Sequence, residues 1–169
     1  MRNRNWIWFF VVLILLGSAA IGINYWYSLQ LQLKPEDLKA AEAKWKSQGP
    51  VDYDLKIAKE ISSASGGDPM REEINVNVRA GQVIKVTLNG RELAHRLLAK
   101  YDVSAWFDYL DEFMEIDTKP NAARVFCEGQ FDRTDGHPTY YRRRVARTRE
   151  RQELSFDLRR VNEGRTKGQ

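Results

Sequence analysis

The arginine-rich stretch at positions 140–151 has the clearest chemical potential in this sequence. Six arginines lie between positions 142 and 151, directly after two tyrosines. On a strand, the residues at 140, 142 and 144 would share one face, and those at 143 and 147 the other. Because planar guanidinium groups bind carboxylate or phosphate, we predict an anion-binding surface made of Tyr140, Arg142, Arg143, Arg144 and Arg147. The alternative is a solvated strand pair whose arginines are balanced by acidic residues on neighbouring strands.

The turn between Phe131 and Pro138 carries the second group of candidate residues. Asp132, Asp135 and His137 are all potential metal ligands, and we include His137 among the predicted binding residues. Their spacing matches no established metal signature, and Asp and Gly are typical of turns. We therefore expect a turn that holds no metal and no cofactor. The alternative is a small-ligand or metal site, or an enzyme, that uses this turn.

Residues for nucleophilic catalysis are scarce. The chain has one cysteine, Cys127, two histidines and no Gly-x-Ser-x-Gly motif. We expect Cys127 to be a small buried apolar residue. The carboxylates of Asp108, Asp111, Glu112 and Glu115 recur at helical spacing, which is typical of a solvated helix face. These features favour a non-enzymatic binding or assembly module over an enzyme.

The N-terminal segment determines the predicted location. Residues 6–27 contain no charged side chain and would form a helix of roughly 33 Å, against a hydrocarbon core of roughly 30 Å. Aromatic residues lie at both ends of the segment, and Arg2 and Arg4 precede it. We predict a single-pass helix in the cytoplasmic (inner) membrane, with the N-terminus inside and the rest of the chain outside the cytoplasm. The alternative is a signal peptide that is cleaved near Ala19.

The charge distribution indicates the kind of partner. From position 139 onward the chain has ten basic and four acidic residues, a net charge of +6. With the domain outside the cytoplasm, we expect contacts with membrane lipids through the anchor and with an anionic envelope component or an acidic protein, and none with nucleic acid. Ser18 and Gly22 lie four residues apart, which gives a weak case for a dimer.

The hydrophobic patterns predict one α+β domain after the N-terminal segment. One helix begins at Lys34-Pro35 and ends at Gly49-Pro50, and a second begins after a cap at Ser104. Alternating apolar and polar residues predict an antiparallel sheet of about six strands. The predicted organisation is a cytoplasmic N-terminus (1–5), a transmembrane helix (6–27), a linker (28–34), an extracytoplasmic α+β domain (35–162) and a polar tail (163–169).

Four motifs of the sequence resemble those of a known family. They are Asp37-Leu38 with Trp45 and Gly49-Pro50, the Arg-Ala-Gly-Gln-Val turn at 79–83, Trp106-Phe107-Asp108, and Phe131-Asp132 with Asp135 to Thr139. Together they resemble a family of small bacterial secreted, lipid-anchored or membrane-anchored domains of unknown function. In that family the last motif usually has tyrosines where this chain has Phe131 and His137. The resemblance implies a fold and a location, and no activity.

Overall fold

The computed structural model describes residues 4–30 and 32–161, and the chain divides into two compact units between Gln32 and Leu33. The described part of the first unit contains one helix, α1 (Arg4–Gln30). The described part of the second contains two α-helices, a short 3-10 helix and seven strands. Their bounds are α2 Pro35–Gln48, β1 Tyr53–Ser62, β2 Met70–Arg79, β3 Gln82–Leu88, β4 Arg91–Glu92, the 3-10 helix His95–Lys100, α3 Val103–Asp117, β5 Val125–Phe131, β6 Pro138–Val145 and β7 Arg151–Arg160.

Helix α1 covers the segment that the sequence analysis assigned to a membrane. None of the helices in the described ranges has the combined length and apolarity that crossing a membrane requires. This finding contradicts the predicted transmembrane helix over 6–27 and, with it, the single-pass inner-membrane location and the extracytoplasmic placement of the domain. The prediction depended on the absence of charged side chains over a sufficient length, on the aromatic residues at both ends and on the flanking arginines. Uncharged residues such as Gly17, Ser18 and Gly22 contribute little apolar surface, so absence of charge is a weaker criterion than apolarity.

The strands of the second unit form one antiparallel sheet in the order β4-β3-β2-β1-β7-β6-β5. The central strand β1 pairs with β2 and β7, and its Ile57 lies between Ile74 and Phe156. The described sheet has seven strands rather than about six, because the chain turns at Asn89 and Gly90 and adds the two-residue strand β4. The described α-helices number three. Two of them, α2 and α3, are the predicted main helices, and α1 occupies the segment that was predicted to span a membrane.

One face of the sheet is covered by α2 and α3, and the other face is open. In β1 the apolar residues Tyr53, Leu55 and Ile57 are buried, whereas the intervening Asp54 and Lys56 are accessible. The helices contribute their apolar stripes to the same core, which are Leu38, Ala41 and Trp45 of α2 and Trp106, Phe107, Leu110 and Met114 of α3. Removal of these side chains from water is the main stabilising contribution to the fold.

Helix α3 begins two residues earlier than the sequence indicated. The Asp102 side chain, and not Ser104, caps it by accepting the Ala105 N–H at 2.8 Å. A carboxylate at this position satisfies an unpaired N–H group and interacts favourably with the helix dipole. The helix ends at Asp117, and this end places the Asp117 carboxylate beside the sheet.

Candidate functional site

The predicted arginines lie on both faces of a three-stranded part of the sheet. β5 and β6 form a hairpin, and β7 pairs with β6 on its other side. Because successive residues of a strand point to opposite faces, Arg143 faces the helices, whereas Arg142 and Arg144 lie on the open face. The register places Glu128 opposite Arg142 and Phe126 opposite Arg144.

Arg143 is held in a buried ion pair and is not available to a partner. Its side chain is 11% exposed, and its guanidinium donates two hydrogen bonds to Asp117, from Nε to Oδ2 at 2.8 Å and from Nη2 to Oδ1 at 2.6 Å. Nη1 donates to Glu150 at 2.8 Å, and the guanidinium lies 5.2 Å from the centre of the Phe113 ring. The hydrogen bonds from the guanidinium to Asp117 raise the pKa of Arg143 further above its ordinary value.

Two more residues of the predicted surface, Arg142 and Tyr140, also have acidic partners. The Arg142 guanidinium donates to Glu128, and this hydrogen bond raises the pKa of Arg142. The Tyr140 hydroxyl donates to Glu153 at 2.9 Å, and the same carboxylate accepts a hydrogen bond from Arg151. The partners of Arg142 and Tyr140 are thus acidic residues on the neighbouring strands β5 and β7, whereas those of Arg143 lie in α3 and in the turn before β7.

Three arginines of the stretch differ from Arg142 and Arg143 because they have no acidic partner among the described residues. Arg144, Arg147 and Arg149 are exposed and form no ion pair among residues 4–30 and 32–161. Strand β6 ends at Val145, and Arg147 lies in the turn after it with a φ of 64°, so Arg147 does not share a strand face with Arg143 as predicted. The Arg149 guanidinium reaches the β1–β2 turn, where its Nη1 lies 3.4 Å from the position that a Cβ on Gly66 would occupy.

Sequence reasoning missed two residues, Arg124 and Phe126, which lie beside Ala146 and Arg144. The Arg124 guanidinium lies 5.1 Å from the centre of the Phe126 ring, and the Arg124 carbonyl accepts the Ala146 N–H at 2.8 Å. Phe126 is 40% exposed, although it lies in a strand. We call Arg124, Phe126, Arg144, Arg147 and Arg149 the basic surface. Only the strand register brings Arg124 and Phe126 to the arginine stretch, so no local pattern could have included them.

The turn with His137 is a hydrogen-bonded structural unit. Asp132 accepts the backbone N–H groups of Thr134 at 2.6 Å and Asp135 at 3.2 Å. His137 Nδ1 lies 2.5 Å from Asp135 Oδ1, and Arg160 donates to Asp135 Oδ2 at 2.9 Å. Burial alone would raise the pKa of the Asp135 carboxyl, but the hydrogen bonds from His137 and Arg160 outweigh burial and hold it below its ordinary value.

Asp132, Asp135 and His137 were also considered as metal ligands. One ligand atom from each lies within 4.8 Å of the others, so the donor set has a suitable composition. However, both Asp135 oxygens already accept hydrogen bonds, one of them from the positively charged Arg160. A cation in this position would have to displace the guanidinium or bind beside it, against charge repulsion. The arrangement therefore fits a structural turn better than a metal centre.

The open face also carries a shallow depression of about 370 Å³ between β1, β2 and β7. Its floor is made by the small residues Ala58 and Ser155, which are cross-strand neighbours. On its rim, Glu60 pairs with Arg71 at 3.0 Å. Ligand pockets enclose most of the surface of their ligand, whereas this depression is open to solvent and bordered by ion pairs. It offers no arrangement of nucleophile and base.

The fold and the surface define a class of protein: a small two-layer α+β domain with one helix-covered and one open sheet face. The chain belongs to a family of unknown function, DUF6174, whose sequence profile matches residues 37–142. The match includes Arg124 and Phe126 of the basic surface and ends before Arg144. A search of curated proteins and a search of solved structures each found no match. The profile match confirms that the chain resembles a family without an assigned function.

Proposed function

We propose that this chain is a non-catalytic binding module whose basic surface docks on a carboxylate-bearing segment of a protein partner. The observation that supports the proposal is the contrast within one short stretch. Arg142, Arg143 and Arg151 each have a carboxylate partner, whereas Arg144, Arg147 and Arg149 have none among the described residues. Charges that a structure does not neutralise internally are available to another molecule.

The composition of the basic surface suits a protein interface. Arginine and aromatic residues are enriched at interface positions that contribute most to binding, and guanidinium groups form bidentate hydrogen bonds with carboxylates. Phe126 provides an exposed apolar centre beside Arg124. The surface is small and its charges are solvated. We therefore expect modest affinity, fast association and a strong dependence on salt.

An acidic protein segment fits this surface better than a nucleic acid does. A long polyanion would also lie against the neighbouring residues of the open face, which include Glu128 and Glu153. Because Arg142 and Arg151 pair with these carboxylates, this part of the face has no excess positive charge to bind a phosphate backbone that extends beyond the few arginines. A short cluster of carboxylates, by contrast, can contact the arginines without approaching these acids.

The proposal is tested by fluorescence anisotropy with the full-length chain and a labelled polyglutamate peptide, at low and at high salt. The triple variant Arg144→Glu/Arg147→Glu/Arg149→Glu is expected to weaken binding by about tenfold or more, because each contact becomes repulsive. A matched control reverses three exposed cations elsewhere, Lys39→Glu/Arg91→Glu/Lys100→Glu, and produces the same net charge. We expect this control to retain most of the binding.

Two results would overturn the proposal. One is equal affinity of both triple variants, because the net charge and not the basic surface would then determine binding. The other is tighter binding of a single-stranded oligonucleotide than of the peptide at the same salt concentration, because the surface would then be a nucleic-acid site. Circular dichroism of each variant confirms that the fold is retained.

A further inference from the structure

We infer that the partner of the basic surface is a second copy of this chain, and that the contact is made with the outer face of its α3. This inference rests on the proposed function and specifies its partner. It would make the chain self-associating in a head-to-tail manner. Three features of α3 support it: its row of acidic side chains, its C-terminal turn and its exposed apolar residue.

The outer face of α3 carries a row of four carboxylates. Asp108, Glu112 and Glu115 are exposed, and Asp111 is half-buried. None of the four takes part in an ion pair within the part of the chain that the structure describes. Asp108 with Glu112, and Asp111 with Glu115, are like charges at i, i+4, a spacing that destabilises a helix. An arginine cluster placed against this face would relieve the repulsion.

The C-terminal turn of α3 is also electrostatically unfavourable in an isolated copy. It contains Glu115 and Asp117 and no basic residue, although the helix dipole favours cations at this end. Arg143 compensates Asp117 from the sheet side, and Glu115 on the outer side remains exposed. Guanidinium groups from another molecule would interact favourably with both the carboxylates and the helix end.

The two surfaces do not meet within one copy. The inner side of α3, which includes Trp106, Phe107 and Leu110, packs on the covered face of the sheet, so its acidic side points away from the sheet. Arg144 and Phe126 lie on the open face, on the other side of the same sheet. Because the two surfaces differ, each copy can contact two neighbours. A contact of this heterologous kind forms rings or open chains rather than two-fold dimers.

Each surface also includes one exposed apolar side chain. Phe126 of the basic surface is 40% exposed, and Ile116, at the end of the acidic face, is 42% exposed. An apolar contact surrounded by charge pairs is a common arrangement of a protein interface. The two surfaces are therefore complementary both in charge and in the position of an apolar centre.

A charge-exchange experiment tests the inference with the full-length chain in sedimentation velocity at low salt. The unmodified chain is expected to show concentration-dependent association that high salt abolishes. The basic-surface variant Arg144→Glu/Arg147→Glu/Arg149→Glu and the α3 variant Asp108→Lys/Glu112→Lys/Glu115→Lys should each lose this association. A mixture of the two triple variants should associate again. Each variant keeps the surface that the other has lost, and the two reversed surfaces are also complementary in charge.

The outcomes separate this inference from the proposed function. If the α3 variant associates as strongly as the unmodified chain, or if the unmodified chain stays monomeric at low salt, the second copy is not the partner. In that case, loss of polyglutamate binding in the basic-surface variant would still support the proposed function. Association that neither triple variant changes would indicate a contact elsewhere, for example through α1, and would also overturn the inference.

Discussion

Arg143 and Asp117 form a two-point ion pair that joins the end of α3 to the centre of β6. The two hydrogen bonds, at 2.8 Å and 2.6 Å, are made in a position where both side chains are about nine-tenths buried. The adjacent residue, Arg144, points to the opposite face of the sheet and is exposed. One step along a strand thus separates an arginine that stabilises the fold from one that is available for binding.

This contrast predicts that the same substitution has a large effect on stability at one of two adjacent positions and almost none at the other. Arg143→Met should lower the free energy of unfolding by about 3 kcal/mol or more, because it leaves the Asp117 carboxylate buried without its cation. Arg144→Met should change the free energy of unfolding by no more than about 0.5 kcal/mol, as is usual for an exposed residue. Urea denaturation of both variants measures the difference.

A second substitution tests the cause of the expected loss. Arg143→Met/Asp117→Leu removes both charges and should recover part of the stability that Arg143→Met loses. Equal losses for Arg143→Met and Arg144→Met would show that the ion pair contributes nothing specific.

The Asp135 carboxyl should make stability depend on pH. Its pKa is lowered in the folded chain because the hydrogen bonds from His137 and Arg160 outweigh the effect of burial. A lowered pKa stabilises the folded state at pH values above the unfolded pKa of about 4, and this contribution is lost as the pH falls through the folded pKa. Asp135→Asn should therefore destabilise the chain by about 1–3 kcal/mol at pH 7 and by clearly less at pH 3.

The measurement is urea denaturation of the two proteins at both pH values. Asp68→Asn is the matched control, since Asp68 is exposed in the β1–β2 turn and forms no ion pair with the side chains that the structure describes. An Asp135→Asn effect of the same size at both pH values would contradict the prediction.

Gly136 should tolerate no side chain, whereas Gly67 should tolerate one at moderate cost. Both have positive φ, 84° and 106°, so alanine at either position should cost about 1–2 kcal/mol in backbone strain. At Gly67 an added Cβ meets nothing within 4 Å. At Gly136 it would collide with the Ala41 carbonyl and lie 3.0 Å from Lys44 Cβ. Thermal denaturation should therefore show a larger loss for Gly136→Ala, and equal losses would mean that the turn does not pack tightly on α2.

The Cys127 thiol should be unreactive in the folded chain. Burial raises its pKa to about 11. At pH 8 a thiol of that pKa is a thiolate roughly a few hundred times less often than an ordinary cysteine of pKa about 8.5. Titration with a chromogenic disulfide reagent should be at least that much slower than for an exposed cysteine in the variant Cys127→Ala/Ser65→Cys. Rapid reaction of native Cys127 would show that this part of the sheet opens.

Zinc or calcium should leave the melting temperature of the chain unchanged, because Arg160 already neutralises Asp135. The informative comparison is Arg160→Met, which removes the competing cation and leaves Asp132, Asp135 and His137 in place. Stabilisation by zinc in the variant alone would show that the guanidinium occupies the position of an ion. Stabilisation of the unmodified chain would contradict the prediction and favour a metal site.

Much of the local structure is encoded in short patterns of the sequence. The Pro35 start of α2, the alternation in β1 and the apolar stripe of α3 each reflect a period of one element, which neighbouring residues fix by themselves. The placement of Tyr140, Arg142 and Arg144 on one face followed from the same rule. The end of β6 could not be predicted from this rule. The residue types suggested a strand at Arg147, but this residue has a positive φ and lies in a turn.

The sequence by itself determined which residues can carry charge to a surface, and the periodic patterns of the main strands and helices. Only the tertiary structure decided which of these charges are neutralised. Asp117 lies 26 positions from Arg143, and Phe126 reaches Arg144 through the register of two strands. Pairing of this kind depends on distances between elements that are remote in sequence, and no local pattern contains those distances. For this reason the arginine stretch was recognisable from the sequence, while its division into a structural part and an available part was not.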